Sequence, residues 1–330
     1  MWPFKSVRIL SIDGGGIRGL IPALVIRDLA SRMQAAGRAR PLHSCFDLIA
    51  GTSTGALIAL GLTLPGENGT DPALSIEDIV AMYRDGGQRI FPPWKFRALH
   101  SIAHMFSEKY DIENFDEFLG PVFAEATLQD ALSDLLITSF DIERNTSFFF
   151  KKRAARSDDT DFLMNDVAKA AAAAPSYFEP AVIAEHDNPE NTFCLIDGGV
   201  YANNPAMCAY IEARKLYPNA WRYEIVSIGT GKPSAHLSRD EIVSWGFGDW
   251  ISPLRGAPLF GVMSAGQSEA VDYQLGKLRG VDYNRVNGAF EGEPPEIDDA
   301  SEENIARLSA TAERIIEEND RLLTKLARRL

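Results

Sequence analysis

The sequence predicts an α/β protein in which a mostly parallel sheet lies between two layers of helices. Short apolar runs of strand length alternate along the chain with segments of helical periodicity, which is the pattern of repeated strand–helix units. No low-complexity linker and no internal repeat divides the 330 residues. We therefore expect one principal α/β domain with a helical C-terminal extension.

Each predicted strand is a short apolar run rich in β-branched or aromatic residues. Such strands are expected at Val7–Ile12, Phe46–Ala50, Leu135–Phe140, Ser147–Lys152, Thr192–Ile196 and Glu224–Ile228. Each predicted helix instead repeats its apolar residues with helical periodicity. Helices are expected at about Ile21–Ala36, Thr54–Leu64, Ser75–Tyr83 and Met164–Ala174. Residues 66–72 have turn composition throughout and should form an exposed loop.

The C-terminal residues Ser301–Leu330 carry apolar side chains close to helical spacing. We expect an amphipathic helix that docks on the core, because the run falls short of four clean heptads. An oligomerising coiled coil is the alternative, and a homo-oligomer therefore stays open.

Composition and charge exclude several classes of function. The net charge of −13 repels phosphate backbones, so no nucleic acid polymer is expected as a partner. The three cysteines Cys45, Cys194 and Cys208 lack CxxC or zinc spacing, which favours reduced thiols in a cytoplasmic protein. The N-terminus shows no export signal. No HExxH, EF-hand loop or Cys/His cluster occurs in the sequence, so we expect neither metal nor cofactor.

The first candidate site is the GxSxG sequence Gly51–Gly55, between the predicted strand FDLIA and the helix ALIALGL. A sharp strand-to-helix turn strains the backbone of the central serine, and side chains at the −2 and +2 positions would collide. Glycines are therefore needed at 51 and 55. Ser53 would then be exposed at the N-terminus of a helix, as a nucleophile requires.

A second candidate site is the glycine loop Asp13–Gly19, with the sequence DGGGIRG directly after the first strand. Its backbone N–H groups can approach a developing oxyanion closely, and the following helix favours negative charge there. Gly14, Gly16 and Gly19 also satisfy the dinucleotide-binding pattern GxGxxG. That alternative expects an acidic residue at the end of the second strand, where this chain has the GxSxG turn instead.

Together these stretches resemble the patatin family of lipid acyl hydrolases. The resemblance rests on DGGGIRG, GTSTG and a third motif, DGG at Asp197–Gly199, which occur in the family's order. Further agreement is found in TSFDIERNTSFFF from Thr138, AKAAAAAPSYFEP from Ala168 and NNPA from Asn203. The family resemblance covers roughly residues 5–275, which we expect to form the catalytic domain, with 276–330 as the extension.

The resemblance implies a three-layer α/β/α fold and cleavage of fatty acyl esters of membrane glycerophospholipids without metal. It implies Ser53 as the nucleophile and Asp197 as its base. The remaining implied site residues, Gly14, Gly15, Gly16 and Arg18, would form or support the oxyanion loop. Part of the bacterial family is activated by cyclic nucleotides in anti-phage defence, so a cyclic nucleotide activator is a possible partner.

A Ser–Asp dyad is expected rather than a Ser-His-Asp triad. Of the five histidines only His236 follows Asp197, and it lies in a polar segment typical of a solvated loop. An aspartate can take the place of the histidine if it contacts the serine hydroxyl directly and if partial desolvation raises its basicity. A catalytically silent protein that holds lipid or nucleotide in the same fold is the alternative function.

Residues Ile90–Phe106 mix aromatic and basic side chains in the sequence IFPPWKFRALHSIAHMF. This mixture is typical of an interfacial surface or of a lid over an acyl pocket. A loop whose aromatics pack on the core explains it equally well. We expect the protein to associate peripherally with a membrane that contains its phospholipid substrate.

Overall fold

The computed structural model describes residues 5–87, 113–157, 160–175, 177–232, 239–251, 258–292 and 294–330. Its strands are β1 Ser6–Ile12, β2 Leu48–Thr52, β3 Asp134–Asp141, β4 Thr146–Lys151, β5 Ala181–Glu185, β6 Asn188–Asp197, β7 Arg222–Ile228 and β8 Val281–Val286. The predicted interfacial stretch at 90–106 and His236 both lie outside the described residues.

The described helices lie between the strands and after the last of them, β8. They are α1 Leu20–Ala35, α2 Thr54–Thr63, α3 Ile76–Arg84, α4 Glu113–Phe123, α5 Lys152–Ser157, α6 Met164–Ala172, α7 Gly199–Ala202, α8 Ala206–Leu216, α9 Arg239–Ile242, α10 Phe247–Ile251, α11 Pro258–Lys277, α12 Glu302–Glu318 and α13 Asp320–Arg329. Within the described ranges, no helix is both long and apolar enough to cross a bilayer.

The strands form one sheet in the order β5-β6-β3-β2-β1-β7-β8, with β4 paired to β3. The five neighbouring strands β3, β2, β1, β7 and β8 are parallel to one another. At the β3 end of the sheet, β4, β5 and β6 form antiparallel pairs. The predicted α/β class with a mostly parallel sheet is therefore confirmed. Parallel strands need covering on both faces, which explains why so many of their residues are apolar.

Both faces of the sheet are buried, as the alternation along β1 illustrates. Leu10 and Ile12 belong to a core shared with α1, α2, α6, α12 and α13, whereas Val7 and Ile9 belong to a second core against α8. Successive strand residues point to opposite faces, so a strand that is buried throughout must contribute to two cores. The molecule therefore has three layers, with the sheet in the middle.

Two strands share one edge of β3, and this pairing positions the candidate site. β4 occupies one edge of β3 over residues 136–141, while β2 pairs with β3 up to Thr138 and β6 pairs with it from Ser139 onward. Because each strand has only two edges, β2 and β6 must lie end to end along the other one. The last residue of β2, Thr52, lies opposite Thr138, and the last residue of β6, Asp197, lies opposite Ser139. Since β2 is parallel and β6 antiparallel to β3, their C-terminal ends meet.

The C-terminal residues belong to the same core as the rest of the chain. β8 pairs with β7, and Leu308, Ala312 and Ile315 of α12 are fully buried in the core that also contains α1. The predicted boundary at residue 275 falls inside α11. The predicted helix Ser301–Leu330 is divided in two at Asn319, whose side-chain amide donates to the Ile315 carbonyl at 2.8 Å and caps α12.

Two strands are missing from the sequence-based prediction, and their residues explain why. β8 has the sequence VDYNRV, in which polar residues that form ion pairs with other elements hide the apolar pattern. β5 is a short edge strand in which Val182 is 71% exposed. The predicted strand Ser147–Lys152 is shifted by one residue, because the strand begins at Thr146 and Lys152 begins α5. Helix α6 ends at Ala172, before Pro175, as expected for a chain approaching proline.

The shared core predicts that α12 contributes strongly to global stability. Leu308→Ala, which removes a fully buried side chain, should lower the free energy of unfolding by about 2–5 kcal/mol. The matched control Leu278→Ala, at a leucine that is 38% exposed, should stay within about 0.5 kcal/mol of wild type. Denaturant unfolding of both variants measures this, and equal effects would show that α12 is not part of the main cooperative unit.

Candidate active site

Ser53 occupies the turn between β2 and α2 in a backbone conformation that side chains rarely adopt. Its φ is 53° and its ψ is −125°, and it immediately precedes the first residue of α2. A side chain at Gly51 would overlap the backbone of Gly55, and one at Gly55 would overlap the Ile12 carbonyl. The two glycines therefore allow the strained turn that leaves Ser53 partly exposed among buried neighbours.

Asp197 ends β6 and lies against Ser53. Its side chain is buried and accepts a hydrogen bond at 2.7 Å from the Gly199 N–H. Burial raises the pKa of Asp197 to about 6, although the Ser53 hydroxyl and the Gly199 N–H both act to lower it by hydrogen bonding to the carboxylate. A carboxylate with this pKa is ionised near neutral pH and is also basic enough to accept a proton.

The glycine loop lies directly beside the serine. A Cβ atom at Gly14 would lie 3.1 Å from the Ser53 Cβ and 2.5 Å from the Asn203 side-chain oxygen, so a side chain there would displace one of them. Gly16 has a φ of 57°, and a side chain at this position would overlap the Ile297 carbonyl. The loop therefore needs glycine both for its conformation and for its close approach to the site.

The backbone amides of the loop fall into two groups. The Gly14 N–H donates to the Asn203 carbonyl at 3.0 Å, and the Ile17 N–H donates to the Ile297 carbonyl at 2.8 Å. Within the described part of the chain, the N–H groups of Gly15 and Gly16 have no acceptor. Among the amides from Gly14 to Ile17, these two are therefore available to donate to an oxyanion.

The Arg18 side chain faces the C-terminal segment. Its Nε donates to the Pro295 carbonyl at 2.8 Å, and its guanidinium lies over the Phe290 ring, 5.2 Å from the centroid. Burial lowers the pKa of Arg18 to about 10, which leaves it charged at neutral pH. Arg18 therefore ties the helical turn after the glycine loop to residues that follow β8.

A buried ion pair beneath the glycine loop is absent from the sequence-based prediction. Arg285 of β8 contacts the Asp13 carboxylate with both terminal nitrogens, the closer contact being 2.5 Å, and also donates to the Ser227 hydroxyl at 2.8 Å. Asp13 is part of the predicted loop motif, but nothing in the sequence indicates which of the 33 basic residues pairs with it.

The same ion pair keeps both partners charged. Burial raises the pKa of Asp13, and the Arg285 guanidinium offsets only part of that rise. For Arg285, burial lowers the pKa, but the contact with Asp13 has the larger effect and leaves the pKa above its usual value. The bidentate geometry fits a carboxylate and an arginine that is protonated at all accessible pH values, so we take the pair as charged.

Hydrogen bonds of Thr52 hold the residue before the serine. Thr52 shares a 2.7 Å hydrogen bond with Thr138 and donates at 2.6 Å to the Ala202 carbonyl, which fixes the base of the turn. Among the residues that the structure describes, no group of three or more His, Cys, Asp or Glu side chains could hold a metal ion.

Comparison with known proteins supports a relationship over most of the chain. The sequence profile of the patatin-like phospholipase family, described as "Patatin-like phospholipase", matches residues 10–210. The chain is 32% identical to the potato (Solanum tuberosum) protein "Probable inactive patatin-3-Kuras 1", over 96% of this chain and 87% of that protein. It is 30% identical to "Patatin-like protein 1" of Oryza sativa subsp. indica (95% and 82% covered) and to "Patatin-like protein 2" of Arabidopsis thaliana (94% and 83%).

The Asp13–Arg285 pair predicts a large stability effect for a residue that lies outside the profile match. Arg285→Met leaves the Asp13 carboxylate buried without its partner and should lower the free energy of unfolding by about 3–5 kcal/mol. As a control, Arg27→Met removes an exposed partner of Glu77 and should cost less than about 1 kcal/mol. If denaturant unfolding gave the same small loss for both variants, the buried pair would not have the role assigned to it.

Proposed function

The chain belongs to the patatin-like phospholipase family, and we propose that it is a serine acyl hydrolase that cleaves fatty acyl esters of membrane glycerophospholipids. The observation that carries the proposal is the position of the strained Ser53 beside a buried aspartate, Asp197, whose pKa is raised to about 6. Such a pair supplies a nucleophile and its general base without a third residue.

In the proposed reaction, Asp197 accepts the hydroxyl proton as the Ser53 oxygen attacks the ester carbonyl carbon. The carbonyl oxygen becomes negatively charged, and the Gly15 and Gly16 N–H groups donate to it. Collapse of the tetrahedral intermediate breaks the ester bond, and the leaving alcohol takes the proton from Asp197. A water molecule then repeats the sequence on the acyl enzyme, which releases the fatty acid and restores Ser53.

The raised pKa of Asp197 suits both halves of this cycle. A carboxylate of ordinary pKa would accept a serine proton poorly, whereas one with a pKa of about 6 is a stronger base and is still mostly unprotonated at pH 7. The strained backbone of Ser53 is consistent with a functional constraint at this position, which supports its proposed role as the nucleophile.

The relative whose name includes "probable inactive" makes the catalytically silent alternative a concrete one. A silent lipid-binding protein has no need for a strained serine hydrogen-bonded to a buried carboxylate. The two functions differ in the reactivity of Ser53, which a fluorophosphonate probe measures independently of the natural substrate.

We predict that fluorophosphonate labels Ser53 and that the protein hydrolyses a short-chain aryl ester. Asp197→Asn removes the base but preserves shape, and it should lower kcat by roughly 10²–10⁴-fold. Ser53→Ala should abolish labelling and cost at least as much activity. Circular dichroism serves as the folding control for both variants. A folded wild-type protein that hydrolyses the ester at the same rate as Ser53→Ala would contradict the proposal.

An exposed apolar face beside the site supports a lipid surface as the location of the substrate. Leu259, Phe260, Val262 and Met263 lie on one side of α11, with Phe260 57% exposed and Met263 49% exposed. Residues 258–266 contain no charged side chain. Four residues after Met263, the Gln267 side chain donates at 3.1 Å to the carbonyl of Val200, which is three residues past Asp197. We propose that this face of α11 contacts the membrane and brings the site to its substrate.

This face predicts a difference between lipid and soluble substrates. The double substitution Phe260→Ser and Met263→Ser should lower hydrolysis of phosphatidylcholine vesicles by at least about tenfold, because apolar area is lost from the membrane contact. Hydrolysis of a soluble aryl ester should be unchanged. The matched control, Val182→Ser with Ile211→Ser, alters two other exposed apolar residues and should leave both activities intact. Equal loss on both substrates, or an equal effect of the control pair, would remove the membrane role.

A further inference from the structure

The peptide unit between Gly14 and Gly15 is held from its carbonyl side. The Gly14 carbonyl accepts a hydrogen bond from the Thr230 hydroxyl at 2.8 Å and a longer one, at 3.4 Å, from the Asn203 side-chain amide. The described backbone contains no cis peptide bond. In a planar trans peptide the C=O and N–H groups point in opposite directions, so fixing the Gly14 oxygen also fixes the direction of the Gly15 N–H.

The Gly15 N–H is one of the two loop amides that have no acceptor within the described residues. Because the Gly15 N–H makes no hydrogen bond within the described residues, its direction depends on the groups that bind the Gly14 carbonyl. An oxyanion donor is effective when it is already oriented before the charge develops, because no reorganisation is then needed during the reaction.

Thr230 is placed for this role by the sheet. It lies two residues after β7, the parallel neighbour of β1, so it reaches the same sheet edge as the glycine loop. It is buried, and a Cβ atom at Gly15 would lie 2.6 Å from its hydroxyl oxygen. The hydroxyl therefore packs directly against the loop whose carbonyl it holds, and only glycine at position 15 leaves room for it.

We infer that Thr230 is a positioning residue for acyl transfer, whose hydroxyl orients the Gly15 N–H toward the oxyanion. This inference rests on the proposed serine hydrolase function. Thr230 lies outside residues 10–210, the part of the chain matched by the family profile, and it does not contact the reacting atoms in this account. It acts by orienting the peptide unit between Gly14 and Gly15.

The Gly16 N–H, the other loop amide without an acceptor in the described residues, is oriented by a separate hydrogen bond. The Gly15 carbonyl accepts from the Arg18 N–H at 3.2 Å within the helical turn, and by the same geometry this bond orients the Gly16 N–H. Loss of the Thr230 hydroxyl should therefore weaken one oxyanion donor and leave the other in place. The expected loss is smaller than that from removing a donor outright, which costs about 10²–10³-fold in kcat.

The test compares Thr230→Val, which keeps the shape but lacks the hydroxyl, with Thr230→Ser, which keeps the hydroxyl. With a soluble aryl ester, Thr230→Val should lower kcat by roughly 10- to 100-fold with little change in KM, whereas Thr230→Ser should stay within about threefold of wild type. A trifluoromethyl ketone, which forms a tetrahedral oxyanion on Ser53, should bind Thr230→Val more weakly by a factor similar to the loss in kcat/KM. If the valine variant fails to fold, Thr230→Ala compared with Thr230→Ser provides the same contrast.

Three results would overturn the inference while leaving the proposed function intact. The first is a folded Thr230→Val protein with wild-type kcat, and the second is an equal loss in the valine and serine variants. The third is a loss confined to KM in a valine variant that binds the trifluoromethyl ketone as tightly as wild type does. If wild-type protein is neither labelled at Ser53 by fluorophosphonate nor active on the ester, the proposed function fails, and the role of Thr230 fails with it.

Discussion

The meeting of two strand ends along one edge of β3 is the constraint on which the rest of the site depends. Ser53 directly follows β2 and Asp197 is the last residue of β6, and these strands come from distant parts of the sequence. Because one runs parallel and the other antiparallel to β3, their C-terminal ends are adjacent by register alone. This pairing brings Ser53 close enough to Asp197 to influence its pKa. In the proposed mechanism the antiparallel end of the sheet therefore supplies the general base.

The second half of the site is held by residues from the C-terminal third of the chain. Thr230 fixes one peptide of the glycine loop, Arg285 pairs with the aspartate before it, and the backbone at Pro295 and Ile297 binds the turn after it. β7 and β8 bring the first two to the sheet edge where the loop lies. The loop has little means of holding its own shape, since four of its seven residues are glycine. Its shape is therefore held by Asn203, within a family motif, and by residues that lie beyond the profile match.

Local sequence chemistry predicted the parts of the site that local geometry determines. Gly51 and Gly55 are required by the turn itself, and the strand-to-helix context of Ser53 is visible in the pattern of apolar residues. The partners that come from distant elements could not be predicted in this way. Arg285 lies in a strand whose polar residues mask its periodicity, and Thr230 is an ordinary residue of a strand–turn segment. Their roles depend on which strands are neighbours, and pairing across the sheet leaves no local signal in either segment.

The proposed contact between Ser53 and Asp197 can be tested through the pKa of the Asp197 carboxyl. Infrared or carbon-13 NMR titration of this group should give a pKa of about 6 in the wild-type protein. The hydrogen bond from Ser53 stabilises the charged carboxylate, so Ser53→Ala should raise the pKa further, while the buried setting is retained. Asp197→Asn provides the assignment control. A wild-type pKa near the ordinary aspartate value of about 3.9, or a pKa that does not respond to Ser53→Ala, would contradict the account.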